Sequence, residues 1–495
     1  MKKASIDPKS FNIPEDVTRV TSVLQKNGYE AYVVGGCVRD LFLGKAPKDW
    51  DITTNATPDQ IMALYPETFY ENNFGTVGVV TENEDPTLKV IEITTYRIES
   101  GYSDKRRPDT VSFSTNIHDD LMRRDFTINA MAFDPRTGTL IDNFGGIEDL
   151  HKKQIKTVGK PADRFNEDGL RILRAIRLST ELGFEIENET EKAIKDNSSL
   201  LEHISMERIR DEFVKVISSD NALSGLVTCQ RLGIMSFIIP ELEEGIGVEQ
   251  TATHAYDVWT HLLKSLEHAV KKGYPLHVKL AALLHDIGKP RSRRFSDGKE
   301  KYTFYGHEVS GAKIAKTVTE RLKFPKETTE NVHKLVRWHM FFSDTEQITL
   351  SAVRRMIVNV GPELVWDLMN VRMCDRIGTG RPKENPYRLR KYKAMVEEAL
   401  RDPISVQMLK IDGKKIMDVT RENPGPKIGF ILNALLEEVL DNPTLNTEEY
   451  LEKRALELSG MDPKELQNLS LRGKEKKDEA EETELKKIRS KHKVA

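Results

Sequence analysis

Residues 32–54 read YVVGGCVRDLFLGKAPKDWDITT, and this stretch predicts how the first part of the chain folds. A short apolar run leads into Gly35 and Gly36, a helical pattern follows, and Asp49 and Asp51 stand one residue apart in a second β-type run. Side chains at positions i and i+2 of a strand point to the same face, so the two carboxylates are expected together. The stretch therefore predicts a strand, a glycine turn, a helix and an acidic strand.

These residue types suit the transfer of a phosphoryl or nucleotidyl group. Two neighbouring carboxylates repel each other unless a cation neutralises them, and Mg²⁺ is a hard cation that prefers oxygen ligands. The glycines let the backbone approach a ligand, the following helix offers its first amides to a phosphate, and Arg39 adds a guanidinium. Glu92 in VIEITTYR is flanked by apolar residues, so it is expected to be buried as a third acid at the same metals, with a solvated edge-strand glutamate as the alternative. We therefore take Asp49, Asp51 and Glu92 as candidate catalytic residues of a two-metal reaction.

Length and composition set the limits on the class of protein. A chain of 495 residues is too long for one compact core, so two to four domains are expected. Its 3 cysteines are odd in number and far apart in the sequence, which argues against a disulfide framework and for a reducing, cytoplasmic setting. The sequence contains neither a long apolar segment nor a secretory signal pattern, so no membrane association is expected. The net charge of -3 does not by itself indicate nucleic-acid binding, but local basic clusters still permit a polyanionic partner.

The secondary-structure pattern of the sequence changes along the chain. Short β-branched and aromatic runs separated by turn residues dominate residues 1–150, and helical periodicity dominates from about residue 160 onwards. The predicted fold class is α+β, with a small mixed β-sheet and helices in the head and all-α regions after it. The predicted boundaries are a head at 1–150, a helical neck at 151–245, an all-α metal-binding domain at 246–395, a helical C-terminal region at 396–465 and a charged tail at 466–495.

Several ordered motifs carry a resemblance to a known family. GGCVRDLFLG…KDWDITT is followed by YRIESGYSDKRRPDTVSFS, RRDFTINAMAFDP, FGGIEDL and NEDGLRILRAIRLSTELGF. In this order they resemble the class II template-independent nucleotidyltransferases, which are the CCA-adding tRNA nucleotidyltransferases and the bacterial poly(A) polymerases. The resemblance implies a polymerase β-like head, Mg²⁺ as the cofactor, and tRNA, CTP and ATP as partners.

The resemblance also assigns roles to individual residues. RRDFTINAM would hold the ribose and the triphosphate, and EDGLR would read the edge of the incoming base, with a carboxylate and a guanidinium at i and i+3 of one helix. The loop at 100–109 would serve the switch from C to A addition and argues against an enzyme that adds only CC. The predicted nucleotide-binding residues are Gly35, Gly36, Arg39, Arg124, Asp125, Asn129, Asp168, Arg171 and Arg174.

A second set of residues resembles the ligands of metal-dependent HD phosphohydrolases. His285 and Asp286 form the adjacent pair HDIGKP at the end of an apolar helical pattern, and further His and Asp residues follow the order of the two-metal members. The predicted ligands, which suit a divalent transition metal, are His261, His285, Asp286, His307, His339 and Asp375. An inactive, structural HD module is the alternative. The segment 423–451 resembles the terminal helical region of the family.

Three other functions stay open from the sequence. An A-adding tRNA nucleotidyltransferase or a poly(A) polymerase would keep every motif of the head. A protein of a different class would use the HD domain as its main enzyme, a phosphohydrolase, with a non-catalytic head. A non-enzymatic RNA-binding protein would need neither set of metal ligands. The sequence does not decide the oligomeric state.

Overall fold

The computed structural model describes residues 3–7, 10–72, 75–101, 110–250, 255–296, 301–341 and 348–470. These residues divide into two compact units, one at 1–238 and the other at 239–495. Most of the loop predicted at 100–109 and most of the charged tail predicted at 466–495 lie outside the described residues. The predicted α+β class is confirmed, with two short additional β-ladders in the helical regions, one between 154–155 and 185–186 and one between 294–296 and 301–303.

A mixed sheet forms the centre of the first unit. Among the described residues, eight strands pair in the order β1-β10-β9-β2-β3-β6-β5-β4. Only the β3–β6 pair within this sheet is parallel, and the other pairs are antiparallel. The strands and small ladders of this unit are β1 (Lys3–Ser5), β2 (Ala31–Val34), β3 (Asp51–Thr54), β4 (Thr68–Asn72), β5 (Thr76–Val80), β6 (Val90–Thr95), β7 (Arg97–Ser100), β8 (Thr110–Phe113), β9 (Met131–Phe133), β10 (Thr139–Asp142), β11 (Gln154–Ile155) and β12 (Glu185–Ile186).

Helices cover this sheet and then continue as a helical region. The first helix buries Val17, Val20, Thr21 and Leu24, which share one face because they are three or four residues apart. The helices of the first unit are α1 (Glu15–Lys26), α2 (Gly36–Phe42), α3 (Pro58–Met62), α4 (Ile117–Met122), α5 (Gly146–Lys152), α6 (Pro161–Glu167), α7 (Leu170–Leu182), α8 (Asn188–Asp196), α9 (Met206–Ser218), α10 (Ala222–Arg231) and α11 (Met235–Ile238). Part of the core under the sheet is formed by Val34, Tyr96, Ile117, Leu121, Ala132 and Ile141.

The second unit is helical apart from one hairpin. Its elements are α12 (Pro240–Glu243), α13 (Val258–Lys271), α14 (Leu276–Leu284), α15 (Lys289–Ser292), β13 (Arg294–Ser296), β14 (Lys301–Thr303), α16 (His307–Arg321), α17 (Lys326–Trp338), α18 (Leu350–Val360), α19 (Val365–Gly378), α20 (Tyr387–Ala399), α21 (Gly413–Thr420), α22 (Pro426–Asp441), α23 (Glu448–Ser459) and α24 (Pro463–Ser470). Helix α14 is apolar and almost wholly buried, which explains why HDIGKP follows it inside the core. No helix of the described residues is long and apolar enough to cross a bilayer.

Candidate active sites

Two of the three predicted catalytic acids lie opposite each other on neighbouring strands of the first unit. Asp51 begins β3, and Glu92 on β6 is its register partner across the parallel pair. Register partners on adjacent strands present their side chains on the same face of a sheet, about 5 Å apart. Because β6 lies between β3 and β5, the edge-strand alternative for Glu92 is wrong, although its side chain is exposed rather than buried as predicted.

Asp49 lies at a bend directly before β3, so the strand includes Asp51 but not Asp49. Trp50 between the two acids is buried while Asp49 is exposed, which agrees with the alternation predicted for this stretch. Both acids lie near Cys37 on α2. Burial, together with the negative charges of Asp51 and Asp49, raises the pKa of this thiol to about 12. The two carboxylates are therefore close to the start of the same helix.

Gly35 lies between an acid and a guanidinium. It has a φ of +86°, which side chains rarely adopt, and a Cβ at this position would lie 3.0 Å from Arg124 Nη1 and 3.5 Å from Asp51 Oδ2. Arg124 Nη2 also donates to Oδ2 of the buried Asp120 at 3.3 Å. The glycine thus leaves room for Arg124 to lie beside the acids, and the space between them combines negative and positive charge.

Asp120 was not selected from the sequence, although it anchors the arginines of this site. It is fully buried and accepts hydrogen bonds from Thr53, Arg123 and Arg124. Burial raises the pKa of this carboxyl, but the charges of Arg123 and Arg124 and the hydrogen bonds outweigh burial, and the net pKa is lowered. The spacing of an acid three and four residues before two arginines, in DLMRR, is the signal that could have identified it.

A polar chain connects α2 to the helical region. Arg39 Nη1 donates to Asn129 Oδ1 at 2.8 Å, and Asn129 Nδ2 donates to Asp125 Oδ1 at 3.3 Å. The second oxygen of Asp125 lies 3.3 Å from Nη1 of Arg174. Burial of Asp125 raises its pKa, but the charges of Arg174 and Arg171 bring the net value below its usual range. The structure therefore joins four of the predicted nucleotide-binding residues in one network.

The predicted base-reading pair does not share one helix face. Asp168 lies at the junction between α6 and α7, where it caps the start of α7 by accepting from the Leu170 amide at 3.0 Å. Its two oxygens accept from the guanidinium of Arg208 at 3.3 and 2.7 Å. Arg171 instead pairs with Glu167 and donates to the Arg123 carbonyl at 3.2 Å. The expectation of one helix face was wrong because the helix is interrupted at Asp168 and Gly169, between the end of α6 and the start of α7.

The second unit brings all predicted HD residues together. Two groups of side chains have ligand atoms within 4.8 Å of one another, and Asp286 belongs to both. Asp286 Oδ2 lies 3.1 Å from His261 Nε2 and 3.3 Å from His285 Nε2, and its Oδ1 lies 3.1 Å from His307 Nε2. The groups are His261, His285, Asp286 and Asp375, and Asp286, His307 and His339. One carboxylate therefore has one oxygen directed at each group.

The spacing and orientation of these side chains fit metal ligation. Ligand atoms about 2.1 Å from one cation lie roughly 3.0–3.4 Å apart at octahedral or tetrahedral angles, close to the distances around Asp286. The Nδ1 atoms of His285, His307 and His339 donate to backbone carbonyls at 2.9, 2.7 and 2.7 Å, which directs each Nε2 inward. Within the described residues, His307 Nε2, His339 Nε2 and Asp286 Oδ1 are buried without a hydrogen bond.

Basic residues next to these ligands complete the cluster. Lys289 Nζ lies 2.6 Å from Asp286 Oδ2 and also donates to Gln250, and Arg372 Nη1 donates to Asp375 at 2.5 Å. Burial raises the pKa of Asp286, but the charges of Lys289 and His285 lower the net pKa well below the usual range. Burial lowers the pKa of His339 to about 4, so this ring is neutral at pH 7, as a metal ligand must be. Lys289 and Arg372 were not selected from the sequence.

A cavity of about 1040 Å³ opens onto the ligand cluster. Asp286, His307 and Asp375 form part of its wall. Away from the ligands it is lined by basic and aromatic side chains, which include Lys289, Tyr302, Phe304, Tyr305, Arg372, Arg376, Arg381, Tyr387 and Arg388. A metal-ligand cluster at the base of a cationic and aromatic cavity suits a phosphorylated ligand.

Three family models match the chain in order. The one described as "Poly A polymerase head domain" matches residues 31–156, and "Probable RNA and SrmB- binding site of polymerase A" matches residues 183–246. The "HD domain" model matches residues 251–361. The acids of β3 and β6 lie within the first match and the HD ligands up to His339 within the third. The fold and the sites therefore define a template-independent nucleotidyltransferase with an HD domain.

Relatives that match this chain over most of their length identify the family within this class of enzymes. A CCA-adding enzyme of Geobacillus thermodenitrificans is 32% identical over 429 residues, which are 86% of this chain and 92% of that protein. A CC-adding tRNA nucleotidyltransferase of Thermus thermophilus is 32% identical over 85% of this chain and 92% of that protein. The crystal structure of the Bacillus stearothermophilus CCA-adding enzyme in complex with CTP aligns with a TM-score of 0.66 and 26% identity over 90% of this chain and 96% of that one. The chain belongs to the tRNA nucleotidyltransferase family of CCA-adding and CC-adding enzymes.

Proposed function

We propose that this protein adds or restores the 3′-terminal CCA of tRNA from CTP and ATP without a nucleic-acid template. The observation that carries the proposal is that Asp51 and Glu92 lie opposite each other on β3 and β6, with Asp51 beside the Gly35 turn and Arg124. The 32% identity to a CCA-adding enzyme over 92% of that enzyme's length supports the substrate. The A-adding enzyme and the poly(A) polymerase remain the nearest alternatives.

In this proposal, different residues of the first unit would bind the metal ions, the triphosphate and the ribose. Asp49, Asp51 and Glu92 would hold Mg²⁺, which supplies charge neutralisation and an activated 3′-hydroxyl in nucleotidyl transfer. Gly35 and Gly36 would let the triphosphate approach the backbone, with Arg39 and Arg124 as its cationic partners. Asn129 and Asp125 would hold the ribose. In support, hydrogen bonds join Arg39, Asn129 and Asp125. Gly35 lies beside Arg124 and Asp51.

Base reading would fall to Asp168, Arg171 and Arg174. A carboxylate accepts from the amino groups of C and A, and a guanidinium donates to ring nitrogens or a carbonyl, so U and G are disfavoured. Because Asp168 is paired with Arg208, and Arg171 with Glu167, base binding would exchange these contacts for contacts to the nucleotide. Arg208 would then act as the residue that positions Asp168.

Incorporation assays test the proposal directly. The full-length protein is incubated with tRNA transcripts that end at the discriminator base, at C or at CC, with CTP and ATP supplied singly and together. A CCA-adding enzyme completes all three transcripts, an A-adding enzyme extends only the one that ends in CC, and a poly(A) polymerase adds long A tails. Asp51→Asn is expected to abolish extension, and Asp59→Asn, at an exposed acid of the same unit, is the matched control. Undiminished extension by Asp51→Asn would refute the assignment.

The HD cluster supports a second activity, metal-dependent phosphohydrolysis. The observation that favours it is Asp286, whose two oxygens face two separate ligand groups. Divalent transition metals held there would polarise a phosphoryl oxygen and supply an activated water. Release of phosphate from nucleoside monophosphates and cyclic phosphates in the presence of Mn²⁺, Co²⁺ or Ni²⁺ is expected, and Asp286→Asn is expected to lose it while retaining CCA addition.

We further propose the domain boundaries predicted above, with tRNA contacts from the helices of 396–465 and a cytoplasmic location. The amphipathic helix α22, which begins at Pro426 immediately after Gly425, is the element of that region expected from the sequence. The three cysteines are buried free thiols, which is compatible with a reducing compartment.

A further inference from the structure

One face of helix α19 extends from the HD ligands along the wall of the cavity. Arg372, Asp375, Arg376 and Thr379 occupy positions i, i+3, i+4 and i+7, and all four line the cavity. Asp375 belongs to the ligand cluster. Arg376, the next residue, lines the cavity but is not one of the candidate ligands. The helix therefore aligns a candidate metal ligand and a guanidinium side by side.

The arginines of this wall differ in how they are neutralised. Arg372 is paired with Asp375. Arg376 Nε donates to the Lys383 carbonyl at 2.5 Å, but within the residues that the structure describes neither Arg376 nor Arg381 is paired with a carboxylate. Arg381 and Arg372 also lie near enough to Arg376 to repel it. The lining holds Lys289, Arg372, Arg376, Arg381 and Arg388 against Asp286, Glu308 and Asp375. This excess of positive charge favours the binding of an anion.

Exposed aromatic rings stand beside these cations. Tyr305 and Tyr387 line the same cavity with 57% and 68% of their surfaces exposed. Tyr387 begins α20 and is followed directly by Arg388, another residue of the lining. Exposed aromatic rings next to a basic groove are the pattern by which proteins bind single-stranded nucleic acid, because bases stack on the rings while cations contact the backbone.

The size of the cavity leaves room for more than one phosphate. Its volume of about 1040 Å³ lies at the upper end of the range of roughly 300–1,000 Å³ that is usual for small-molecule pockets. A single phosphate at the ligand cluster would contact Lys289 and the metals and leave Arg376 and Arg381 without a partner. A second phosphate would account for them.

We propose that the cavity binds the end of a single-stranded polynucleotide, with its terminal phosphate at the HD ligands and its next phosphate between Arg376 and Arg381. A base near the end stacks on Tyr387. In the reaction, water forms a bond to the terminal phosphorus, the bond from phosphorus to the nucleoside oxygen breaks, and a proton from water ends on that oxygen. The products are inorganic phosphate and a strand with a free hydroxyl. The proposal rests on the phosphohydrolase activity proposed above and makes Arg376 and Arg381 specificity residues.

Hydrolysis of two substrates by the full-length protein tests the second phosphate site. Phosphate release is measured from a nucleoside 3′-monophosphate and from a trinucleotide with a 3′-terminal phosphate, in the presence of Mn²⁺. Wild type is expected to prefer the trinucleotide in kcat/KM, mainly through KM, by about tenfold or more for each charge-assisted contact. Arg376→Ala combined with Arg381→Ala is expected to remove this preference, because kcat/KM falls about tenfold or more further for the trinucleotide than for the mononucleotide.

Arg390→Ala is the matched control, because Arg390 lies on α20 but outside the cavity lining. Equal kcat/KM for both substrates in wild type would overturn the second phosphate site. So would an equal loss from Arg390→Ala and from the double variant, since general surface charge would then explain the effect. Circular dichroism melting of each variant separates loss of binding from loss of folding.

Binding without turnover decides the proposal if neither substrate is hydrolysed. In the Asp286→Asn protein, the anisotropy of a fluorescent trinucleotide 3′-phosphate is titrated with and without the Arg376→Ala and Arg381→Ala changes. Weaker binding in the triple variant supports the strand site even though the phosphohydrolase has failed. Unchanged binding would overturn the strand site, whatever the fate of the phosphohydrolase.

Discussion

Gly35 offers a sharp test of the nucleotidyl-transfer site, because its replacement by alanine has two separable effects. A φ of +86° is unfavourable for any residue with a Cβ and costs about 1–3 kcal/mol of stability. The added methyl group would also lie 3.0 Å from Arg124 Nη1, which is closer than ordinary van der Waals contact, so Arg124 must move. The first effect acts on folding, and the second acts on the geometry next to Asp51.

Gly28 separates the two effects. It has the same φ of +86°, but a Cβ there meets no atom within 4 Å. Gly28→Ala and Gly35→Ala are therefore both expected to lower the urea midpoint, whereas only Gly35→Ala should impair catalysis. Because a misplacement of about 1 Å near the reacting groups can cost about a hundredfold in rate, we expect a loss of about tenfold to a hundredfold in kcat/KM.

The assay is CMP incorporation into a tRNA transcript that ends at the discriminator base, under single-turnover conditions, with urea unfolding measured on the same preparations. Gly28→Ala should stay within about threefold of wild type, which corresponds to a change of less than about 0.7 kcal/mol in the activation free energy. A folded Gly35→Ala protein with wild-type incorporation would refute the role given to the Gly35 and Arg124 contact. So would an equal loss of activity in both variants.

Three further predictions follow from other contacts. Asp286→Asn should lower bound divalent metal from about two ions per chain to about none, and His339→Ala should leave about one, because among the described residues only Asp286 belongs to both ligand groups. Equal metal content of the two variants, measured by mass spectrometry, would contradict a bridging role. Asp120→Asn should destabilise the protein by about 1–3 kcal/mol at pH 7. Since the pKa of Asp120 is lowered in the folded state, its contribution to stability is fully present above the unfolded pKa of about 4 and is lost as the pH falls through the folded pKa. The stability difference between wild type and variant, measured by urea unfolding, should therefore be smaller at about pH 3 than at about pH 7, and a constant difference would contradict the prediction. Arg208→Ala should increase UTP and GTP misincorporation more than it slows CTP addition, because it releases Asp168. Arg208→Lys should be intermediate because lysine lacks the bidentate geometry, and unchanged selectivity in both variants would argue against positioning by Arg208.

The candidate sites differed in how far local sequence could predict them. Gly35, Asp51 and the pair His285 and Asp286 were identifiable because a glycine turn, the start of a strand and two adjacent ligand-type residues can each be recognised from a few neighbouring positions. The helix face proposed for Asp168 and Arg171 was wrong, because spacing alone does not reveal where a helix breaks. The exposure of Glu92 was also missed, since flanking apolar residues do not show which face of a central strand is open.

By itself, the sequence determined the α+β class, the order of the regions and the residue types of both sites, because periodicity, turn residues and ligand chemistry act over a few neighbouring positions. Only the tertiary structure decided which groups meet across long separations: Asp51 with Glu92, Asp168 with Arg208, and Asp286 with two sets of histidines. Strand register, the positions where helices end, and burial determine which of these residues come into contact. They depend on the packing of whole elements, in which many weak contacts act together, rather than on the residues at any one position.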